Sequence, residues 1–368
     1  MRTAAAFVLA AQSPARSGTI ARVTVDCRAL RFGLVGTGHW ARVTHAPALA
    51  TAPGIEFAAV WGRNLPAAAA LAAYSGAVAH RDFDAFLADV DAVAFSVPPD
   101  VQSELAVRAA TAGKHLLLEK PVALTVDAAD TLVDAVDAAG VGSVVFFTAQ
   151  FQPDIRTWLA EISRAGEWAG GTARWLGSVY SPASPFDTPW RRDKGGLWDL
   201  GPHAVALLWA ILGPVESVTA DAGRGDLTYL VLHHEGGATS SVTLTLGAPE
   251  AADSYRLEVW GERGVAAMPA LGADAIASLH VALAELAENA RSGGPAHACD
   301  VRFGADVTRV LAAAQQERDA LRARPAVRPA SRSTPRPPRL IAATTSSESA
   351  AAGYVAGPDL PADGLAPA

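Results

Sequence analysis

The stretch Leu30-Arg31-Phe32-Gly33-Leu34-Val35-Gly36-Thr37-Gly38-His39-Trp40-Ala41 decides the fold of the first half of the chain. An apolar strand runs into a glycine turn and then into a helix-like segment. The pattern Gly36-x-Gly38-x-x-Ala41 is the dinucleotide-binding fingerprint, with alanine in the third place, which the pattern allows. Gly36 permits the tight turn, Gly38 lets the backbone approach a pyrophosphate, and Ala41 lets the helix pack close to the strand. Free amides at the helix start would meet the phosphate charge.

A second strand, residues 55–61, ends in Gly62-Arg63-Asn64. The fingerprint usually places a carboxylate here to hold the ribose 2′-hydroxyl, and an arginine suits a 2′-phosphate. The missing acid and the present arginine both favour NADP, with NAD as the alternative. Arg63 can also be read as an ordinary loop arginine that caps the next helix.

Further apolar strands alternate with helical patterns up to residue 149. Residues 90–97 and 142–148 read as buried strands, and residues 101–112 and 125–139 read as helices. Thr125 is placed as the N-cap of the last helix, and Gly140 as its stop. Short connections between alternating elements predict a Rossmann domain, a doubly wound parallel α/β sheet, over residues 30–149.

The strand Leu116-Leu117-Leu118 ends abruptly in Glu119-Lys120-Pro121-Val122. Ligand chemistry in open α/β sheets lies just beyond the carboxyl ends of the strands. A lysine placed there is in position to meet a substrate. The alternative is a surface ion pair between Glu119 and Lys120.

The second half of the chain changes character. Strands dominate from residue 172, at 173–180, 215–222, 228–234, 240–246 and 255–260, and helical patterns cover 155–165, 275–290 and 301–323. This predicts a C-terminal α/β domain, residues 150–323, with a mostly antiparallel open sheet and helices on one face. Residues 1–29 read as a disordered leader and residues 324–368 as a disordered, Pro-, Ala-, Ser- and Thr-rich tail.

The segment Gly195-Gly196-Leu197-Trp198-Asp199-Leu200-Gly201-Pro202-His203 leads into an apolar helix, residues 204–212. Asp199 and His203 are about one helical turn apart and can share a face. A carboxylate near an imidazole fixes its tautomer and raises its basicity. The alternatives are a plain N-cap for Asp199 and a hydrogen-bonded core histidine for His203.

Three motifs together resemble the Gfo/Idh/MocA oxidoreductase family over residues 30–323. They are Gly36-Thr37-Gly38-His39-Trp40-Ala41, then Ala112-Gly113-Lys114-His115 leading to Glu119-Lys120-Pro121, then Gly195-Gly196 leading to Asp199-x-Gly201-x-His203. The resemblance implies a Rossmann domain, a second α/β domain with an open sheet, and nicotinamide-dependent hydride transfer on sugars, polyols or related hydroxy compounds. It also implies that Lys120, Asp199 and His203 form the catalytic group.

We assign the cofactor contacts to residues of the fingerprint and of the strand ends: Gly36, Thr37, Gly38, His39, Trp40, Arg63, Asn64, Pro98, Glu119 and Lys120. The chain departs from the family after two strands. It has Pro99-Asp100-Val101-Gln102-Ser103 where members often carry Asn and His, and Ala149-Gln150-Phe151-Gln152-Pro153 where many carry an Arg-Phe pair. These departures concern substrate identity and part of the nicotinamide contact.

Composition narrows the class of partner. A net charge of −7 and a pI near 5.7 argue against nucleic acid. No apolar run approaches the roughly 18 residues that are needed to span a membrane. Cys27 and Cys299 fit a reducing compartment, so we expect a cytoplasmic protein, with export through the leader as the alternative. No metal site is expected, because the rings of His233 and His234 should point to opposite faces of a strand.

The sequence therefore predicts a dehydrogenase or reductase acting on CH–OH carbons with NADP or NAD. In the oxidation direction His203 would take the hydroxyl proton and Lys120 would bind the same oxygen. Four aromatic residues were candidates for a substrate pocket or for ordinary core: Tyr180, Phe186, Trp190 and Trp198. A homo-oligomer, dimer or tetramer, is expected through the open sheet, where Val242, Leu244 and Leu246 give an apolar face. The alternative function is a non-catalytic NADP(H) sensor on the same fold.

Overall fold

The computed structural model describes residues 29–181, 184–272, 274–293 and 296–323. The predicted leader, apart from residue 29, and the predicted tail lie outside the described residues. Their expected disorder stays a prediction.

Strands and helices alternate along the first half of the chain and build a six-stranded parallel sheet. Its strands are β1 (Leu30–Val35), β2 (Ile55–Trp61), β3 (Val78–His80), β4 (Ala92–Phe95), β5 (His115–Glu119) and β6 (Ser143–Phe146). Their spatial order is β3-β2-β1-β4-β5-β6, so the order reverses between β1 and β4. This confirms the predicted Rossmann sheet and places a ligand-binding crevice at the carboxyl ends of those two strands.

Helices connect these strands. A π-helical turn (Ala41–His45) continues into α1 (Ala46–Thr51), and it is followed by α2 (Leu65–Ala72), α3 (Phe83–Ala88), α4 (Pro99–Thr111) and α5 (Val126–Ala139). Thr125 caps α5, because its side chain accepts a hydrogen bond from the amide of Ala128, and Gly140 ends the helix with φ 63°. A 3-10 turn (Thr148–Phe151) leads out of the sheet.

The second half builds a second six-stranded sheet, in the order β12-β11-β7-β10-β9-β8. The strands are β7 (Trp168–Leu176), β8 (Val215–Ala222), β9 (Thr228–His234), β10 (Thr239–Thr245), β11 (Ser254–Gly261) and β12 (Gly264–Ala267). Only the β7–β10 pair is parallel among these described strands, so the mostly antiparallel sheet is confirmed.

The helices of this half are α6 (Pro153–Ala165), α7 (Pro189–Asp199), α8 (Gly201–Leu212), α9 (Ala275–Ser292) and α10 (Val301–Arg322), with a 3-10 turn at Glu250–Ala252. α8 packs on β7 and β10. α10 packs on β8 of the second sheet and also on α5 and β6 of the first half. α10 therefore packs against both sheets.

The apolar side chains of β10 and of the residue after it do not lie on the open face of the second sheet, where they were expected. Val242, Leu244 and Leu246 are at most 1% exposed, because they point to the face that α8 covers and form part of the core there. The large apolar side chains that stay exposed on this sheet are Tyr229, Val231, Trp260 and Val265. The predicted apolar patch was therefore wrong in its residues.

His233 is exposed while His234 is 1% exposed, which confirms that the two rings take opposite faces.

The joined stretch Pro189–Leu212 is long and apolar enough to cross a membrane by length and composition, contrary to the expectation from the sequence. In the fold 83% of that window is buried, as in a core helix.

Candidate active site

The glycine turn that follows β1 lies at the crevice between β1 and β4. Gly36 has φ 121°, and a Cβ there would stand 2.2 Å from the carbonyl oxygen of Ser96, so only glycine fits. A Cβ on Gly38 would meet nothing within 4 Å, so there is open space beside its backbone. Helical backbone begins at His39, and the first amides of a helix have no partner inside it. Room and amide donors together fit a pyrophosphate.

Glu119 ties the cofactor loop, which we define as residues 36–45, to the end of β5. Its Oε1 accepts a hydrogen bond from Trp40 Nε1 at 2.7 Å and lies 2.9 Å from His45 Nε2. Trp40 and His45 are five residues apart, a spacing that a π-helical turn brings over one carboxylate. The sequence placed Glu119 and Trp40 at the cofactor, and the structure joins them by a direct bond. It did not find His45, because an α-helical period does not align residues five apart.

The other predicted cofactor residues lie on loops at the same edge. Thr37 is in the glycine turn, and Pro98 directly precedes α4. Asn64 caps α2, because its Oδ1 accepts a hydrogen bond from the amide of Ala67 at 3.2 Å. Arg63 is exposed and lies two residues after the end of β2 at Trp61. The alternative of Arg63 as the helix cap is therefore wrong, and its guanidinium is accessible to a ligand.

Lys120 reaches from the end of β5 to the second half of the chain. Its Nζ donates to the backbone oxygen of Asp199 at 2.8 Å and to Asp199 Oδ1 at 2.9 Å. The two side chains are only 12% and 8% exposed. Lys120 forms its ion pair with Asp199, so the surface pair with Glu119 is wrong. An ammonium group has three N–H donors, and the described residues accept two of them, so the third can point to a ligand.

Gln102 fixes the turn that carries Lys120. Its Oε1 accepts from the amide of Glu119 at 2.8 Å, and its Nε2 donates to the carbonyl oxygens of Glu119 at 2.7 Å and Pro121 at 3.2 Å. Gln102 is completely buried. The sequence registered this residue only as a departure from the family pattern. The side-chain amide of Gln102 can both donate and accept hydrogen bonds, so it satisfies the buried backbone groups of the turn that carries Lys120.

Asp199 is neither the N-cap of α8 nor the hydrogen-bond partner of His203. It is the last residue of α7, and α8 begins without a side-chain cap. Its Oδ1 is taken by Lys120 and its Oδ2 by Arg191 Nε, at 2.9 Å each. Burial alone would raise the pKa of Asp199, but the charges of Lys120 and Arg191 outweigh it and hold this pKa well below its usual range.

His203 lies in the first turn of α8 and is 9% exposed. Its ring stacks on Trp175, with centroids 5.5 Å apart, and its Nδ1 is buried with no hydrogen-bond partner among the described residues. Burial, followed by the charge of Lys120, lowers the pKa of His203 well below its usual value, while Asp199 opposes the shift. The ring is therefore neutral near pH 7 and can accept a proton. The alternative of a hydrogen-bonded core histidine does not fit the unpaired Nδ1.

Asp226 holds the double glycine, Gly195-Gly196, which precedes the last turn of α7 that ends at Asp199. Its Oδ2 accepts from the amides of Gly196 at 3.0 Å and Leu246 at 2.7 Å. Gly195 has φ 67°, and a Cβ there would lie 3.0 Å from Asp226 Cβ. The kink at Gly195 thus aims the last turn of α7 at Lys120. The sequence offered no sign of this, because Asp226 stands alone in a loop.

Of the four candidate pocket aromatics, one lies in the core and three contact Arg191. Trp198 is 2% exposed and donates to Gln315, so it belongs to the core. Tyr180 donates to the carbonyl oxygen of Arg191 at 2.8 Å. Phe186 alone reaches the cofactor loop, 5.1 Å from the His39 ring and 5.9 Å from the Trp40 ring. Trp190 lies under the Arg191 guanidinium at 4.7 Å.

The described residues contain no group of three or more potential metal ligands. The site contains the ammonium of Lys120, the guanidinium of Arg191, the carboxylate of Asp199 that they share, and the imidazole of His203. This set can bind an oxygen that gains negative charge and can exchange its proton.

Comparison with known proteins gives two matches along the chain. Residues 30–147 match the oxidoreductase family with an NAD-binding Rossmann fold, and residues 169–267 match the GFO/IDH/MocA C-terminal domain.

Curated relatives and solved structures agree with these matches. A D-xylose 1-dehydrogenase (NADP(+)) of Haloferax volcanii is 30% identical over 275 residues, which cover 69% of this chain and 81% of that protein. An inositol 2-dehydrogenase of Rhizobium meliloti is 30% identical over 254 residues, 65% of this chain and 75% of that protein. The fold is similar to that of a putative myo-inositol dehydrogenase from Sinorhizobium meliloti, with a TM-score of 0.70, 23% identity, and coverage of 79% and 98% of the two chains.

Proposed function

The chain belongs to the GFO/IDH/MocA family of oxidoreductases, and on that premise we propose that it transfers a hydride between NADP, or NAD, and the hydroxyl or carbonyl carbon of a sugar, a polyol or a related small molecule. The observation that carries the proposal is the contact of Lys120 with Asp199, 79 residues away in sequence and next to the neutral His203. This contact supports a site in which proton-transfer groups lie beside the dinucleotide crevice.

The crevice residues fit the cofactor. Gly36 and Gly38 would let the backbone approach the cofactor closely, and the amides from His39 onward would meet its phosphate charge. When bound, the nicotinamide supplies or accepts the hydride. The protein then has to hold the ring, orient the substrate and move one proton.

Preference for NADP is supported by Arg63. It is exposed at the carboxyl end of β2, where no carboxylate competes for the ribose. Asn64 supplies the cap of α2, which leaves the arginine accessible. The similar D-xylose dehydrogenase of Haloferax volcanii carries NADP(+) in its name.

The proton step falls to two residues. In oxidation, the third N–H of Lys120 binds the substrate oxygen, and His203 accepts the hydroxyl proton. In reduction, the same groups return the proton to the carbonyl oxygen. Asp199 fixes Lys120 through two acceptors, so its part is to orient the ammonium. Positioned proton transfer of this kind contributes roughly 10²–10⁴ in rate.

The second candidate is a non-catalytic NADP(H) sensor. Either function would bind the cofactor, so binding alone does not separate them. Reduction of NADP by a panel of sugars and polyols does separate them. Turnover with any member supports the enzyme, and tight NADPH binding with no turnover on the whole panel supports the sensor.

We also propose that two copies associate through the open face of the second sheet. Tyr229, Val231, Trp260 and Val265 expose between 38% and 70% of their surface there. Arg256 and Glu258 are exposed on β11, the strand that also carries Trp260. The open face therefore has charges of both signs, and the same face on a second copy can be complementary to it. Light scattering at micromolar concentration tests this: a dimer or tetramer is expected, and Val231→Glu should shift it towards the monomer.

A further inference from the structure

We propose that Arg191 is a positioning residue of the active site, which holds Asp199 in the place from which Asp199 binds Lys120. Its effect on catalysis rests on the proposed function. Its contact with Asp199 is a property of the fold and can be tested without turnover.

The carboxylate of Asp199 is divided between two cations. Lys120 Nζ takes Oδ1, and Arg191 Nε takes Oδ2, at 2.9 Å each. All three side chains are largely buried, at 12%, 18% and 8% exposure for Lys120, Arg191 and Asp199. A carboxylate bound at one oxygen can still rotate, whereas one bound at both oxygens cannot. Arg191 therefore fixes the orientation in which Oδ1 faces Lys120.

Arg191 is itself held on several sides. Its guanidinium lies 4.7 Å from the Trp190 ring and 5.7 Å from the Phe186 ring. Its backbone oxygen accepts from the Tyr180 hydroxyl at 2.8 Å. A planar guanidinium stacked on rings has few alternative positions. The support of Asp199 is thus rigid.

This support continues to the cofactor loop. The Phe186 ring that borders Arg191 also meets the rings of His39 and Trp40 edge-on. Trp40 in turn donates to Glu119, the neighbour of Lys120 in the chain. The contacts therefore run from Lys120 through Asp199, Arg191 and Phe186 to the cofactor loop and return through Glu119.

The charges around Asp199 give the expected pH effect. The charged or titratable groups that face it are Lys120, Arg191, His203, Tyr180 and Tyr255. Burial raises the pKa of Asp199, and the two cations lower it by more. Loss of Arg191 removes part of the lowering. The pKa of Asp199 then rises, and activity on the acid side should fall at a higher pH than in the parent.

The test compares Arg191→Met and Arg191→Lys with the parent in the full chain. The matched control is Arg192→Met. Arg192 is the next residue on α7, its side chain is 53% exposed, and its Nε donates to Asp187 Oδ1 at 2.6 Å. Among the described contacts it makes none with Asp199. Arg191→Met should lower kcat by about tenfold or more, keep the Kd for NADPH within about threefold, and move the acid limb upward. Arg191→Lys should recover part of kcat, and Arg192→Met should match the parent.

A second measurement does not need turnover. The urea midpoint is recorded for Arg191→Met, Asp199→Asn and the double variant, and again with Arg192→Met in place of Arg191→Met. The Arg191 double variant should lose less than the sum of its single losses, and the Arg192 double variant should lose the sum. Additive losses for Arg191, or parental kcat and pH profile in Arg191→Met, would overturn the inference. A parent that turns over no substrate contradicts the proposed function, and the unfolding cycle then decides the role of Arg191 alone.

Discussion

Lys120 Nζ donates to both the backbone oxygen and Oδ1 of Asp199, so one ammonium joins the end of β5 to the end of α7. A backbone acceptor and a side-chain acceptor on one residue leave the ammonium little freedom. Asp199 therefore holds the Lys120 ammonium in position directly. Asp199 does not accept a hydrogen bond from His203, as the one-turn spacing suggested; both of its carboxylate oxygens accept from Lys120 and Arg191 instead.

Asp199→Asn should then be as damaging to turnover as the loss of Lys120, because it leaves Lys120 and Arg191 without their shared counter-charge. Breaking a buried pair in this way costs about 3–5 kcal/mol of unfolding free energy, measured by urea unfolding at pH 7. The folded pKa is depressed, so this stability is present above the unfolded value of about 4 and is lost only as pH falls below it. The control Asp187→Asn removes the charge from a pair whose arginine, Arg192, is 53% exposed, and it should change little. Parental stability in Asp199→Asn would contradict the pairing.

His203 should stay neutral well below pH 6.5. Its folded pKa is lowered by burial and by Lys120, whereas an unfolded histidine titrates near 6.5. The unfolded state therefore takes up a proton first, and stability should fall as pH drops below about 6.5. NMR titration of the cofactor-free protein checks the site directly. In Lys120→Met the His203 titration should move to higher pH, because one nearby cation is gone, and no movement would show that the lysine charge does not reach the ring.

Arg63→Ala should change cofactor choice. A guanidinium–phosphate contact is charge-assisted and worth about 1.5–3 kcal/mol. The variant should therefore lose affinity for NADP by roughly tenfold or more, with NAD little changed. Titrations of both cofactors against both proteins measure this. Equal loss for both would mean that Arg63 supports the loop and not the phosphate.

Glu119→Ala should weaken both cofactors together, in contrast to Arg63→Ala. It removes the acceptor shared by Trp40 and His45 and so loosens the cofactor loop. His45 is buried and Trp40 is half-buried, and a buried polar group left without its partner costs about 1–3 kcal/mol. The control Glu56→Ala removes an exposed acid paired with Arg31 at 3.5 Å and should leave affinity and stability near parental values. Unchanged binding in Glu119→Ala would show that its bonds do not order the loop.

Sequence reasoning succeeded where a pattern is local. The Gly36 fingerprint and the Thr125–Gly140 helix ends each depend on a few neighbouring residues, and the structure has them in place. β2, β8 and β9 also have the predicted bounds, since each is a clear apolar or alternating run. β3 and β12 were missed because three or four residues carry too little periodicity.

Contacts between distant residues could not be predicted in the same way. Arg191, Gln102 and Asp226 act through bonds to partners up to 30 residues away, and no spacing rule relates them. The partner of Asp199 was assigned to His203 because the one-turn spacing was visible, while the competing Lys120 is 79 residues distant. Packing of the whole fold decided between the two.

The most direct test of the proposed chemistry is the turnover of Lys120→Ala and His203→Ala, with NADPH affinity measured on the same samples. Each variant should bind NADPH within a few-fold of the parent and reduce NADP with the best substrate at least about a hundredfold more slowly. A His203→Ala protein with near-parental turnover would contradict the assignment. His203 would then be a packed core residue, and Lys120, or a water that it orders, would carry the proton.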